Sequence, residues 1–185
     1  MEAVYIARHV LLAVLLVVCA YTDIARGKIY NAATFSAILM GLFIGYVAGG
    51  VYEGGLSGIS MAGSLAAMGI VIAPFAWPYL RGGIAAGDVK LMLAVASLGA
   101  LNNYFTIYAL LYSTLVGAFM AIMLFIWKGR LKEGIKATAR FALSTGHVRD
   151  KEAEGARKIT GLTIPYGSAI AVGTIVAWYV VELGV

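Results

Sequence analysis

The sequence predicts an all-α, polytopic integral membrane protein of about six transmembrane helices. Three observations carry that prediction. The 185 residues are 62% hydrophobic and 12% charged, with a mean hydropathy of +0.90. Apolar runs near bilayer length recur along the chain, and lysine and arginine gather in alternate loops. No soluble domain of this length could bury so large an apolar share, so the solvent must be lipid. The chain reads as a single membrane domain over 1–185, with a basic loop over 128–160.

The first span is Val4 to Tyr21, close to the minimum for a bilayer. It runs on into Tyr21-Thr22-Asp23 without a small-x-small cleavage site, so it reads as a spanning helix rather than a removable signal. The second span is Asn31 to Gly50. The third, Ile59 to Leu80, contains Pro74 and Pro78, which predict a kink or a broken turn. The fourth is short: Val89 to Leu101 covers only about 20 Å at 1.5 Å per residue, against a hydrocarbon core of about 30 Å. A start near Ile84 is favoured, which draws Asp88 inside the membrane edge. Asn102-Asn103 reads as a turn before the fifth span, Phe105 to Trp127, and the sixth is Leu162 to Leu183.

Orientation follows from the basic residues. Arg26 and Lys28 follow span one, and Arg81 and Lys90 flank the junction of spans three and four. Most of the rest lie between Lys128 and Lys158. The intervening loops offer Glu53 and two asparagines. The positive-inside rule therefore places the three basic loops in the cytoplasm and both termini outside, with Arg8 alone on the wrong side. Within the long loop, Leu131, Ile135 and Ala139 recur at helical spacing beside Lys132, Lys136 and Arg140, which predicts an interfacial helix on anionic lipid. Asp150 to Lys158 reads as a solvated connector.

Several function classes drop out. Basic residues do not interleave with aromatics, so the net charge of +5 carries no nucleic-acid footprint. The lone Cys19 excludes a disulfide framework within the chain and a multi-cysteine zinc site, and reads as a small packing residue. His9 and His147 fall on opposite membrane sides without helical-spacing partners, so no metal is expected. No cofactor is called for.

What remains is a pair of acids. Asp23 and Asp88 each stand where an apolar stretch meets a basic loop, on the same predicted face. A carboxylate near hydrocarbon is costly unless it is wetted, paired or used. Taken singly, Asp88 reads as a helix N-cap and Asp23 as a polar residue ending span one. Together, beside apolar walls, they point to a two-carboxylate site. Two carboxyls close together cannot both ionise cheaply, so one keeps its proton while the other activates water. Gly87, beside Asp88, would let another backbone approach closely.

The segments around these acids resemble a known family. Gly87-Asp88-Val89-Lys90-Leu91-Met92 resembles the Gly-x-Gly-Asp region of the type IV prepilin and archaeal preflagellin peptidases. Asp23-Ile-Ala-Arg-Gly-Lys-Ile-Tyr-Asn31 resembles their other aspartate motif, which ends in Ile-Pro-Asn. Ile164-Pro-Tyr-Gly167 resembles their Pro-Phe/Tyr-Gly segment. The resemblance implies a membrane aspartyl endopeptidase that removes a basic leader from pilin-like or archaellin precursors at the cytoplasmic face. It carries Asp23 and Asp88 over as the catalytic pair. Asn31 belongs to the first motif, Gly87 would shape a turn, and Pro165, Tyr166 and Gly167 would border the substrate. Lys90 would tune the pair or act as a cytoplasmic anchor; Arg26 and Lys28 read as anchors.

Two departures stand out: Ala85 replaces the first motif glycine, and Tyr30 replaces the proline before Asn31. No cysteine set for a methyltransferase domain is present, which implies cleavage without methylation, as in the short members. A basic cytoplasmic face would repel a basic leader, with Glu133, Asp150, Glu152 and Glu154 as local offsets. The alternatives are a small ion-coupled transporter, which would want an acid near mid-bilayer, and a catalytically silent pilus-assembly scaffold.

Overall fold

A computed structural model describes residues 2–52, 59–81, 84–99, 103–129 and 166–183, together with Lys132 and Lys136. Six helices account for nearly all of them: α1 (Glu2–Arg26), α2 (Asn31–Gly49), α3 (Met61–Leu80), α4 (Ala86–Gly99), α5 (Asn103–Trp127) and α6 (Tyr166–Leu183). There is no strand among the described residues. The protein is a polytopic helical membrane protein, and α1, α2, α3 and α5 are each long and apolar enough to cross a bilayer. Pro165, His147, Glu53, the 150–158 connector and all of the predicted 131–140 helix except Lys132 and Lys136 lie outside the described residues.

The outer surface is apolar. Val17, Ile24, Leu39, Phe43, Val47, Leu115 and Phe119 are exposed, as a lipid-facing surface requires. Exposed aromatics mark the two helix ends: Tyr21, Tyr30, Trp77, Tyr79 and Trp127 at one, Tyr46, Tyr52, Tyr104 and Tyr179 at the other. Such girdles sit at headgroup level.

The core is built around α4. Its 14 residues are buried from Leu91 to Gly99 apart from Leu93, and all five other described helices pack against it. A helix that is apolar all round belongs in an interior. Because its neighbours are protein rather than lipid, its shortfall against bilayer thickness leaves no apolar mismatch to fill. It starts at Ala86, close to the favoured sequence boundary, so Asp88 stands in its first turn.

Small residues let the backbones approach, as is usual where lipid supplies no hydrophobic force between helices. Gly41 of α2 lies against the Ser97 backbone of α4, and Gly173 of α6 against Ser113 of α5. Serine hydroxyls bond across the gaps: Ser97 Oγ donates to Ile38 O at 3.0 Å and Ser64 Oγ to Ser97 O at 3.3 Å. The helix α3 runs through Pro74 and Pro78 without a break.

Arg8 is the exception to the positive-inside pattern, and its placement explains why. It is not a loop charge. The side chain is fully buried, donating from Nη2 to Gly41 O at 3.2 Å and to Ser64 Oγ at 3.4 Å. His9 beside it donates from Nδ1 to Tyr5 O at 2.7 Å and stacks on Trp178, its ring centroid 4.8 Å away. Cys19 is wholly buried in the hydrophobic core.

The glycine contacts make a direct prediction. Gly173→Ala would drive a methyl group into the Ser113 backbone of α5, and overpacking of this kind costs about 1–3 kcal/mol. Its thermal midpoint in detergent should fall. Gly69→Ala, where a methyl meets nothing within 4 Å inside α3, should hold or slightly raise the midpoint.

Candidate active site

The two acids are reached from opposite helix ends. Asp23 lies in the last turns of α1, which ends at Gly27, where φ is +61° and the N–H donates to Asp23 O at 2.8 Å. Glycine adopts that left-handed conformation at no steric cost. Asp88 enters in the first turn of α4, whose N-terminal residues follow Ala85; the Ala85 carbonyl accepts from Asp88 N at 3.1 Å. Asp88 is thus the third residue of the helix, in its first turn rather than at its cap. Both acids are about nine-tenths buried, each 9% exposed.

The first turn of α6 holds Asp23. Ser168 N donates to Asp23 Oδ2 at 3.2 Å. The first four N–H groups of any helix lack intrahelical partners, so a carboxylate from another helix satisfies one of them and meets the positive end of the helix dipole. Asp88 sits at the equivalent end of its own helix. Tyr166, two residues before Ser168, lies beside Thr114 and within electrostatic range of Asp88. The start of α6 therefore touches the surroundings of both acids.

Gly167 and Gly87 supply room. A methyl on Gly167 would stand 2.8 Å from Asp23 Oδ2 and 2.9 Å from Ile29 Cδ1. A methyl on Gly87 would stand 3.3 Å from Ile29 Cβ. Gly87 is helical and carries no positive φ, so its contribution is space rather than a turn. What approaches it is the protein's own Ile29.

Asn31 opens α2 and accepts from Lys90 Nζ at 3.0 Å, while the same ammonium lies 5.1 Å from the Phe35 ring centroid. Lys90 thereby ties the start of α2 to the start of α4. Arg26 bonds the Tyr30 hydroxyl at 2.6 Å and lies 5.9 Å from its ring centroid. Asp23, Asn31, Gly87, Asp88, Lys90, Tyr166 and Gly167 are thus gathered at one end of the bundle. Sequence reading missed Ser168, which acts through its backbone, and Ile29, an apolar residue in a polar loop whose lone hydrophobicity was the available signal.

The two motif departures cost little here. Ala85 needs no left-handed backbone, since no non-glycine residue among those described has a positive φ. Tyr30 caps α2 at φ −78°, within the range that proline enforces, so the tyrosine keeps a proline-like backbone. Among the described residues, no group of three His, Cys, Asp or Glu side chains stands together as metal ligands would.

The Lys90–Asn31 bond can be tested by a thermodynamic cycle. Lys90→Met and Asn31→Ala should each cost on the order of 1 kcal/mol, and the double substitution should cost scarcely more than either. Losses that simply add would show the two side chains acting independently.

No curated protein and no solved structure is detectably similar to the chain. The family model for the type IV leader peptidase family matches residues 10–122, more than half of the chain and both acids with it. The chain belongs to the type IV leader peptidase family.

Proposed function

We propose that this protein is a membrane-embedded aspartic endopeptidase that cleaves the short basic leader from prepilin-like or preflagellin-like precursors. Asp23 and Asp88 are its catalytic pair. The observation that carries the reading is the meeting of three chain segments, 23–31, 85–90 and 166–168, around two buried carboxyls at one end of the bundle. Membership of a leader peptidase family supports the reaction class.

The chemistry follows from two acids sharing one proton. The ionised carboxyl takes a proton from water, whose oxygen attacks the scissile carbonyl carbon. The protonated carboxyl donates to the carbonyl oxygen as the tetrahedral intermediate forms. Collapse breaks the C–N bond, and the proton taken from water passes to the leaving amine. The Ser168 N–H orients Asp23, and the N-terminal ends of α4 and α6 favour negative charge beside the acids. An ion-coupled transporter would place its acid near mid-bilayer, whereas Asp23 and Asp88 lie within about a turn of helix ends.

Arg26, Lys28, Arg81, Lys90 and Lys128 share the helix ends that hold the acids, so the positive-inside rule places this end in the cytoplasm. A precursor is itself a hydrophobic helix with a basic leader; it would reach the acids laterally from the bilayer, its leader at the basic headgroup layer. The chain is read as one peptidase domain, and its single cysteine supports cleavage without methyl transfer.

The experiment is cleavage of a purified precursor in detergent or liposomes, with the cut read by mass spectrometry. Asp23→Asn and Asp88→Asn should each lower kcat by at least about a thousandfold while the thermal midpoint holds. Full activity in either variant would remove the pair from the mechanism.

A further inference from the structure

The loop between α1 and α2 has four residues, and three of them have evident work at the surface. Gly27 ends α1, Lys28 is exposed, and Tyr30 caps α2 while bonding Arg26. Ile29 alone turns inward. Its side chain is half-buried, packed against the hydrophobic core, and in contact with two other motifs.

We infer that Ile29 is a positioning residue for the aspartate pair, a wedge that sets the separation of Asp23 and Asp88 by filling the notch between Gly87 and Gly167. This inference rests on the peptidase reading above. Its Cβ stands 3.3 Å from where a Gly87 methyl would be, and its Cδ1 2.9 Å from a Gly167 methyl. A methyl at Gly167 would force a shift, and one at Gly87 would press closely on the isoleucine. Gly87 directly precedes Asp88, and Gly167 directly precedes Ser168, whose N–H holds Asp23. One aliphatic group therefore touches the neighbours of both acids.

The wedge is itself well anchored. On its N-terminal side, two residues away, Gly27 N–H closes onto Asp23 O, which ties the start of the loop to the last turn of α1. On its C-terminal side Asn31 is fastened to Lys90, two residues beyond Asp88. An isoleucine suits the task because branching at Cβ restricts χ1, so the side chain is stiff. A misplacement of about 1 Å between reacting groups can cost about a hundredfold in rate. A single methyl-scale contact at this notch is enough to matter.

Precursor cleavage, its pH dependence and a distance measurement test this together. Ile29→Ala should lower kcat by about tenfold with little change in KM, and Ile29→Val should retain most of the rate. The bell-shaped pH–rate profile should narrow in Ile29→Ala, because more distant carboxyls share one proton over a smaller pH interval. Gly167→Ala should be nearly inactive, and Ile29→Ala in that background should recover part of the loss by clearing the space its Cδ1 occupied. Independently of activity, spin labels at Ile24 and Ala86, exposed neighbours of the two acids, report the separation in a Cys19→Ala protein. Their distance distribution should be narrow with Ile29 present and broad in Ile29→Ala.

Wild-type cleavage combined with an unchanged profile and unchanged distances in Ile29→Ala overturns the wedge and leaves the peptidase standing. No cleavage by the wild-type protein of any precursor offered counts against the peptidase. The label distances then decide alone whether Ile29 sets the spacing.

Discussion

Enclosure of one short helix organises this molecule. The 14 residues of α4 are too few to span hydrocarbon, and every other described helix packs against them. A membrane interior offers no water to backbone or side-chain polar groups, so whatever α4 carries inward must be met by protein. The serines and glycines of α2, α3 and α4 do that toward the end opposite the acids, through Ser64, Ser97 and Gly41. Near the basic end the same helix carries Asp88, and the cost of burying a carboxyl there shapes the surrounding loops.

That cost is met differently for the two acids. Asp88 lies at the positive end of its own helix. Asp23 lies at the negative end of α1, where an anion is disfavoured, and is compensated by the N–H that Ser168 donates from the start of α6. The contact spans 145 residues of sequence and closes the bundle from first helix to last. It also explains why a glycine precedes Ser168: any larger residue would push against the carboxyl that the serine holds.

Arg8, at the other end of the bundle, is compensated only in part, since its Nε and Nη1 have no hydrogen-bond partner among the described residues. A buried guanidinium inside a membrane is expensive. Here it bonds one helix carbonyl and one hydroxyl, while Gly45 provides clearance for Nη2. Counting it as a loop charge made it an anomaly of orientation; as an interhelical strut between α1, α2 and α3 it has no bearing on topology. A hydropathy reading cannot make that distinction, because it sees a charge near a terminus and not the face that the charge occupies.

The sequence alone determined the solvent, the number of described apolar helices and most of their bounds, since apolar run length and basic loops answer to bilayer thickness and membrane orientation. It also marked Asp23 and Asp88, because a carboxylate beside hydrocarbon is conspicuous by its cost. It left open whether Ala85 and Tyr30 strained the motifs; backbone angles answered that, with no left-handed requirement at the first and a proline-like φ at the second. Gly87 read both as a turn-former and as room for a close approach; it is helical, and what comes close is the Ile29 side chain. Ile29 and Ser168 became visible only in three dimensions. One acts by shape and the other by a backbone N–H, and neither property is written in residue type: each exists only once distant helix ends have been brought together.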